Sequence, residues 1–241
     1  SLVHLISRIS KGMIGGMEIT IPIEALTLIA SYNPCLNGFG LSCLGTASKV
    51  TEATLWTRTV DEQVHLANLE SCGVGIIRFG ELFNQSLKGV NLSCSVKMFK
   101  FGFEFNQSLE GVNWPAFLQT LTFGNCFNKS LKGVNLPASL QTLTFGWSFN
   151  QCLEGVNFPV SLKNLTLGDF FDQSLHGIEF PASLQALTFG FCFNQSLVGV
   201  NLPASLQTLT FGFDFDNSLQ GVILPTSLQT LCLLYTSDAA D

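Results

Sequence analysis

A segment of 22 residues returns along most of this chain without insertion, and that period restricts the fold more than any other feature. One copy reads Leu136-Pro137-Ala138-Ser139-Leu140-Gln141-Thr142-Leu143-Thr144-Phe145-Gly146-Trp147-Ser148-Phe149-Asn150-Gln151-Cys152. The Phe-Gly pair within it recurs from Phe79, Phe101, Phe123, Phe145, Phe189 and Phe211, and Leu167-Gly168 fills the remaining slot. A fixed period in the twenties implies a solenoid, in which one repeat is one coil that cannot bury its apolar face without neighbours.

Within a coil, Leu140-x-x-Leu143-x-Phe145 settles into the two-residue alternation of a half-buried strand. Leu143 and Phe145 are expected to face inward, and Thr142 and Thr144 outward. Gly146 ends the strand. Phe149, Leu153, Val156 and Phe158 complete seven inward positions per coil. The half from Phe149 to Pro159 is short and carries Gly155 and Pro159, both poor inside a helix, so turns and extended backbone are expected there.

Equivalent residues of adjacent coils should stack at about 4.8 Å, the spacing of paired strands. Each column of the repeat is then a contact list. Asn84, Asn106, Asn128, Asn150, Asp172, Asn194 and Asp216 form a candidate side-chain ladder to backbone, in which the two Asp rungs are expected to accept only backbone N–H groups or to be partly solvated. Lys88, Glu110, Lys132, Glu154 and His176 alternate in sign, with each exposed pair worth about 0.5 kcal/mol.

The string Leu202-Pro203-x-Ser205-Leu206-x-x-Leu209-x-Phe211-Gly212-x-x-Phe215, preceded by Phe193-Asn194-Gln195-x-Leu197, resembles the FNIP repeat of amoebal and other protist proteins, a variant of the leucine-rich repeat. The resemblance covers residues 74–231. It departs from the family where Ser86, Ser108, Ser130, Cys152, Ser174, Ser196 and Ser218 stand in place of a frequent Pro, which bears on the turn geometry. A more distant similarity is to the repeats of bacterial BspA-like surface proteins.

Toward the N-terminus, Ile23-x-x-Leu26-x-Leu28 and Tyr32 to Leu41 match the apolar positions of one diverged coil, and Val60, Val64 and Leu69 echo another. Tyr32 and Phe83 are 51 residues apart, two periods and seven more, so an insertion is expected around Thr46 to Thr59. The expected organisation is a diverged repeat or cap over 1–66, a regular solenoid over 67–231, and a tail over 232–241 that resembles translated cDNA adapter. The chain begins at Ser1, so an incomplete N-terminus is expected. Setting aside Asp238 and Asp241 leaves 15 acids against 11 bases; so mild an acidity argues against nucleic acid. No apolar run reaches 18 residues, which argues against a membrane span.

The eight Cys fall in unrelated columns, giving no disulfide framework and favouring free thiols in a reducing, cytoplasmic setting. His4, His65 and His176 lack metal or nucleophile spacing, the Asp pairs at 169/172 and 214/216 lack a calcium turn, and every Gly in the repeats belongs to the period. No catalytic residue, metal or cofactor is expected.

Two columns remain as candidates for binding. Phe103, Asn125, Trp147, Asp169, Phe191 and Phe213 follow the strands, vary while their neighbours do not, and include large aromatics typical of interface anchors. Thr120, Thr122, Thr142 and Thr144 belong to an outward Thr-x-Thr face, interrupted elsewhere by Met98, Lys100, Asn164 and Ala186. The expectation is a β-rich, right-handed, leucine-rich-repeat-like solenoid with one parallel sheet and little or no helix. The resemblance implies a non-catalytic scaffold for a protein partner; the alternative is an ice- or glycan-binding solenoid using the threonines.

Overall fold

The computed structural model describes residues 57–60, 75–90, 92 and 95–233, all within one unit that begins at Leu55. Nine strands form a single parallel sheet in chain order: β1 (Thr57–Val60), β2 (Ile76–Phe79), β3 (Met98–Lys100), β4 (Thr120–Thr122), β5 (Thr142–Thr144), β6 (Asn164–Thr166), β7 (Ala186–Thr188), β8 (Thr208–Phe211) and β9 (Thr230–Leu233). From β2 onward each residue pairs with the one 22 positions later, as in Leu121↔Leu143 and Leu143↔Leu165. There is no helix among the described residues. This is the parallel solenoid that the period requires.

Three tight turns close each coil. In the coil beginning at β5, Phe149 N–H donates to the Gly146 carbonyl, Val156 N–H to Leu153, and Leu162 N–H to Pro159. The second turn uses Gly155 at φ 72°, and glycines at the same position of the other coils share that left-handed geometry. Glycine has no Cβ to oppose it. The Ser column that departs from the family pattern caps this turn: Ser130 Oγ accepts the Lys132 N–H at 3.2 Å, and Cys152 Sγ stands in at 3.4 Å from Glu154 N.

Coil is tied to coil by four ladders. The sheet supplies one, and the corner after it a second, in which Ser148 N–H donates to the Asn125 carbonyl and Phe170 N–H to Trp147. The Asn column is the third: Asn128 Oδ1 accepts the Asn150 N–H at 3.0 Å, and Asn150 Oδ1 accepts the Asp172 N–H at 3.0 Å. The fourth runs from Ser hydroxyls, as where Ser183 Oγ donates to the Leu162 carbonyl at 2.7 Å. Buried polar backbone is thereby paired on sides of the coil that carry no sheet.

The Asp172 rung is half-buried, and it bonds more than backbone N–H groups. Asp172 Oδ1 accepts not only the Asn194 N–H but also the side-chain amide of Gln195, both at 2.9 Å. Only the acceptor oxygen of the Asn side chain is needed in this ladder, so a carboxylate serves equally.

The core is a double file of phenylalanines. Phe83, Phe105, Phe127, Phe149, Phe171 and Phe193 stack with centroids 6.0–6.1 Å apart, and all but Phe171 pack on the Phe-Gly phenylalanine of their own coil, as Phe149 does on Phe145 at 3.8 Å. Leu167 interrupts the second file and is itself buried. Of the seven inward columns, six are buried and the seventh is half-buried, with Leu136, Phe158, Phe180 and Leu202 only partly covered. The following prolines, such as Pro159, face inward instead. Adjacent residues of extended chain point to opposite sides, so burying the proline turns its predecessor partly outward.

At the N-terminal side the expected insertion overlaps the sheet. Thr57–Thr59 lie in β1, paired with β2 at an offset of 19 (Thr57↔Ile76, Val60↔Phe79), so the first coil is three residues short of the period. Val60 thus occupies the register of the Phe-Gly phenylalanine. The diverged coil from Ile23 to Leu41, and the echo positions Val64 and Leu69, lie outside the described residues. At the other end β9 continues through Cys232 and Leu233, paired to Thr210 and Phe211, while 234–241 lie outside the described residues.

Candidate interaction surface

The variable column sits on the corner that follows the sheet. Gly146 and Phe149 bracket a turn whose central residues are Trp147 and Ser148. The same turn geometry sets Phe103, Asn125, Asp169, Phe191 and Phe213 at equivalent points of their coils. Central turn residues carry side chains away from the chain reversal, and the corner ladder holds their backbones. The rings are outside: Trp147 is 57% exposed, Phe191 51%, Phe103 43% and Phe213 40%. Phe191 and Phe213, on consecutive coils, stack with centroids 5.1 Å apart and planes 9° from parallel. Asn125 and Asp169 are half-buried between the larger side chains.

Glycine makes this corner possible. A Cβ on Gly146 would run into the Gly124 carbonyl of the preceding coil, and the same collision recurs at Gly102, Gly124, Gly168, Gly190 and Gly212. The Phe-Gly pair therefore holds one ring in the core while letting the backbones of adjacent coils meet at the point where the outward residue begins.

The second turn position was not singled out from the sequence. Leu82, Glu104, Cys126, Ser148, Phe170, Cys192 and Asp214 occupy it, and Phe170 is 55% exposed. Its residues vary as much as those of the first position, so the same test of variability finds it. Glu81 adds a carboxylate at the corner, accepting the Phe103 N–H at 3.0 Å. Burial and nearby carboxylates hold two thiols protonated above the usual range: Cys126 beside Glu104, and Cys192 beside Asp214, Asp169 and Asp172. Among the described residues no group of three or more His, Cys, Asp or Glu is placed to hold a metal ion.

The threonines make a different surface. Thr120 pairs with Thr142 and Thr122 with Thr144 across β4 and β5, on the outward columns of the sheet. All four are half-buried, and Asn164 crosses the array to donate to Thr142 Oγ1 at 3.3 Å. The array is broken by bonded polar side chains as well as by its interruptions in sequence.

The family model described as FNIP Repeat matches residues 83–126, 127–170, 153–192 and 193–235, more than half of the chain. The chain belongs to the FNIP repeat family. Among solved structures, this FNIP solenoid is similar to CroV588, described as a novel circular LRR protein, with 41% identity and a TM-score of 0.62. The similarity covers 66% of this chain and 23% of that one, so the FNIP chain spans about a quarter of its relative. No curated protein matches it. It is a repeat protein of leucine-rich-repeat-like fold, and no helix among its described residues is long and apolar enough to cross a membrane.

Proposed function

We propose that this FNIP solenoid is a non-catalytic scaffold for protein–protein interaction, with the corner after the sheet as its binding edge. The observation that carries the reading is Trp147 at 57% exposure on a column whose backbones are laddered coil to coil. Large aromatics held rigidly and left uncovered lose little freedom on binding and bury much apolar area, which is why they recur as interface anchors. Their alternation with Asn125 and Asp169 gives the edge an irregular profile suited to one partner. Cys126, Cys152, Cys192 and Cys232 are unpaired, which supports a reducing, cytoplasmic setting.

The test is Trp147→Ala with Phe191→Ala, followed by thermal melting and by capture of partners from a native extract. The expected result is capture lost with melting nearly unchanged. Retained capture alongside a collapsed melting temperature would reassign the rings to the core and overturn the reading.

A further inference from the structure

Charge is sorted by face. The corner and the Asn and Gln columns beside it carry Glu81, Glu104, Asp169, Asp172, Asp214 and Asp216 against Lys129 alone. The outward columns of β2–β9 and the residues entering those strands carry Arg78, Lys97, Lys100 and Lys163 and no acid. The exposed aromatics of the corner thus stand on an acidic side of the coils, while Phe117 is exposed elsewhere, in the column of Ser183.

Their spacing makes notches. Phe191 and Phe213, one coil apart, close ring on ring at 5.1 Å and leave no gap. Trp147 and Phe191 are two coils apart, about 10 Å by strand spacing, with the shorter Asp169 between them. Asn125 lies in the same way between Phe103 and Trp147. A planar cation entering the Asp169 notch would meet aromatic groups on either side and a carboxylate beneath. Guanidinium combines that planarity with a permanent charge and stacks on aromatic faces, so it suits the notch better than an ammonium. Asp172 and Asp214 add to the field, since with Asp169 they all bear on the Cys192 thiol.

We propose that this edge binds an extended, arginine-bearing segment of a partner protein laid along the solenoid axis, with one arginine in the notch formed by Trp147, Asp169 and Phe191. In the polyproline-II form of extended chain every third residue returns to the same face and advances by about 9 Å, or about two coils. An Arg-x-x-Arg segment therefore places its second arginine in the Asn125 notch. The inference rests on the reading of the corner as a binding edge and names the chemistry of its partner.

The probe is a fluorescein-labelled Gly/Ser decapeptide carrying Arg-x-x-Arg, titrated with the full chain at low ionic strength and read by anisotropy. Matched peptides carry Lys, Gln or Glu in place of Arg. The expected order is Arg above Lys, with Gln and Glu far weaker and Arg binding reduced by added salt. Asp169→Asn with Asp214→Asn, and separately Trp147→Ala, should each weaken Arg binding about tenfold while melting stays near that of the parent. Equal binding of the Gln peptide, or Arg binding indifferent to these variants, overturns the proposal. So does a solution dimer that the Arg peptide fails to compete with, which would give the edge to a second copy. If the Arg peptide does not bind but Trp147→Ala with Phe191→Ala still abolishes partner capture, this inference falls and the scaffold reading stands. If capture is also unaffected, both fall.

Discussion

Asp172 accepts the backbone N–H of Asn194 through Oδ1 at 2.9 Å, just as Asn150 Oδ1 accepts the Asp172 N–H at 3.0 Å. A carboxylate and an amide hold identical rungs because the bond uses one oxygen and no donor. Asp172→Asn should therefore change stability by less than about 0.5 kcal/mol. Asn150→Ala removes the acceptor for both the Asp172 N–H and the Gln173 side-chain amide, and should cost about 1–3 kcal/mol. Urea unfolding of the two variants checks this; equal losses would mean that the carboxylate is not equivalent.

Two glycines of adjacent coils should respond differently to alanine. At Gly133 the φ of 78° is the whole obstacle, since nothing lies within 4 Å of an added Cβ, so Gly133→Ala should cost about 1–2 kcal/mol. At Gly146 the added Cβ meets the Gly124 carbonyl, and the coils must part locally to admit it. Gly146→Ala should cost clearly more, on the order of 3 kcal/mol, near the upper range for single substitutions. A melting comparison decides, and a milder effect at Gly146 would show that the inter-coil approach relaxes cheaply.

The period made the architecture legible. Because every column is a contact list, Leu143↔Leu165 and the Phe149–Phe171 stack follow from counting once strand pairing is assumed. Where the count changes, the reading lost ground: β1 pairs at an offset of 19, and no repeated motif marks a coil three residues short. The inward placement of Pro159 was missed because its neighbour Phe158 is the more apolar residue, whereas the turn geometry decides which one faces in. The exposed corner was half legible. Variation within a constant repeat marked Trp147 and Phe191, but Phe170 escaped because its column holds Cys, Ser and acids that carry no common chemical theme.

Trp114 stands in the half-buried column otherwise held by Leu and Phe, with its ring 6.1 Å from Phe99 and its indole Nε1 buried without a hydrogen-bond partner. An unmatched buried donor costs about 1–3 kcal/mol, comparable to the apolar area a smaller ring would give up. Trp114→Phe should therefore be neutral or slightly stabilising, by contrast with the roughly 3 kcal/mol or more expected for Phe149→Ala in the core. A loss above about 2 kcal/mol in thermal or urea unfolding would show that the indole is better satisfied than its geometry indicates.

Cys192 reports on the acidic edge. Burial raises its pKa first, and the Asp214 carboxylate adds to this by charge and by accepting the thiol proton's hydrogen bond, with Asp169 and Asp172 contributing charge. The reactive form is the thiolate, so a raised pKa means less of it at any pH below the folded value. Cys192 should accordingly be alkylated by iodoacetamide several-fold more slowly than the exposed Cys152 at pH 8, with the gap narrowing as pH rises. Asp214→Asn removes a charge that opposes ionisation and weakens the bond that favours the thiol. It should speed modification of Cys192 while leaving Cys126, three coils away beside Glu104, at its original rate. Peptide-resolved mass spectrometry across a pH series separates the sites. An Asp214→Asn variant with an unchanged Cys192 rate would mean that this carboxylate does not reach the thiol, and would remove Asp214 from the charge that the proposed arginine meets.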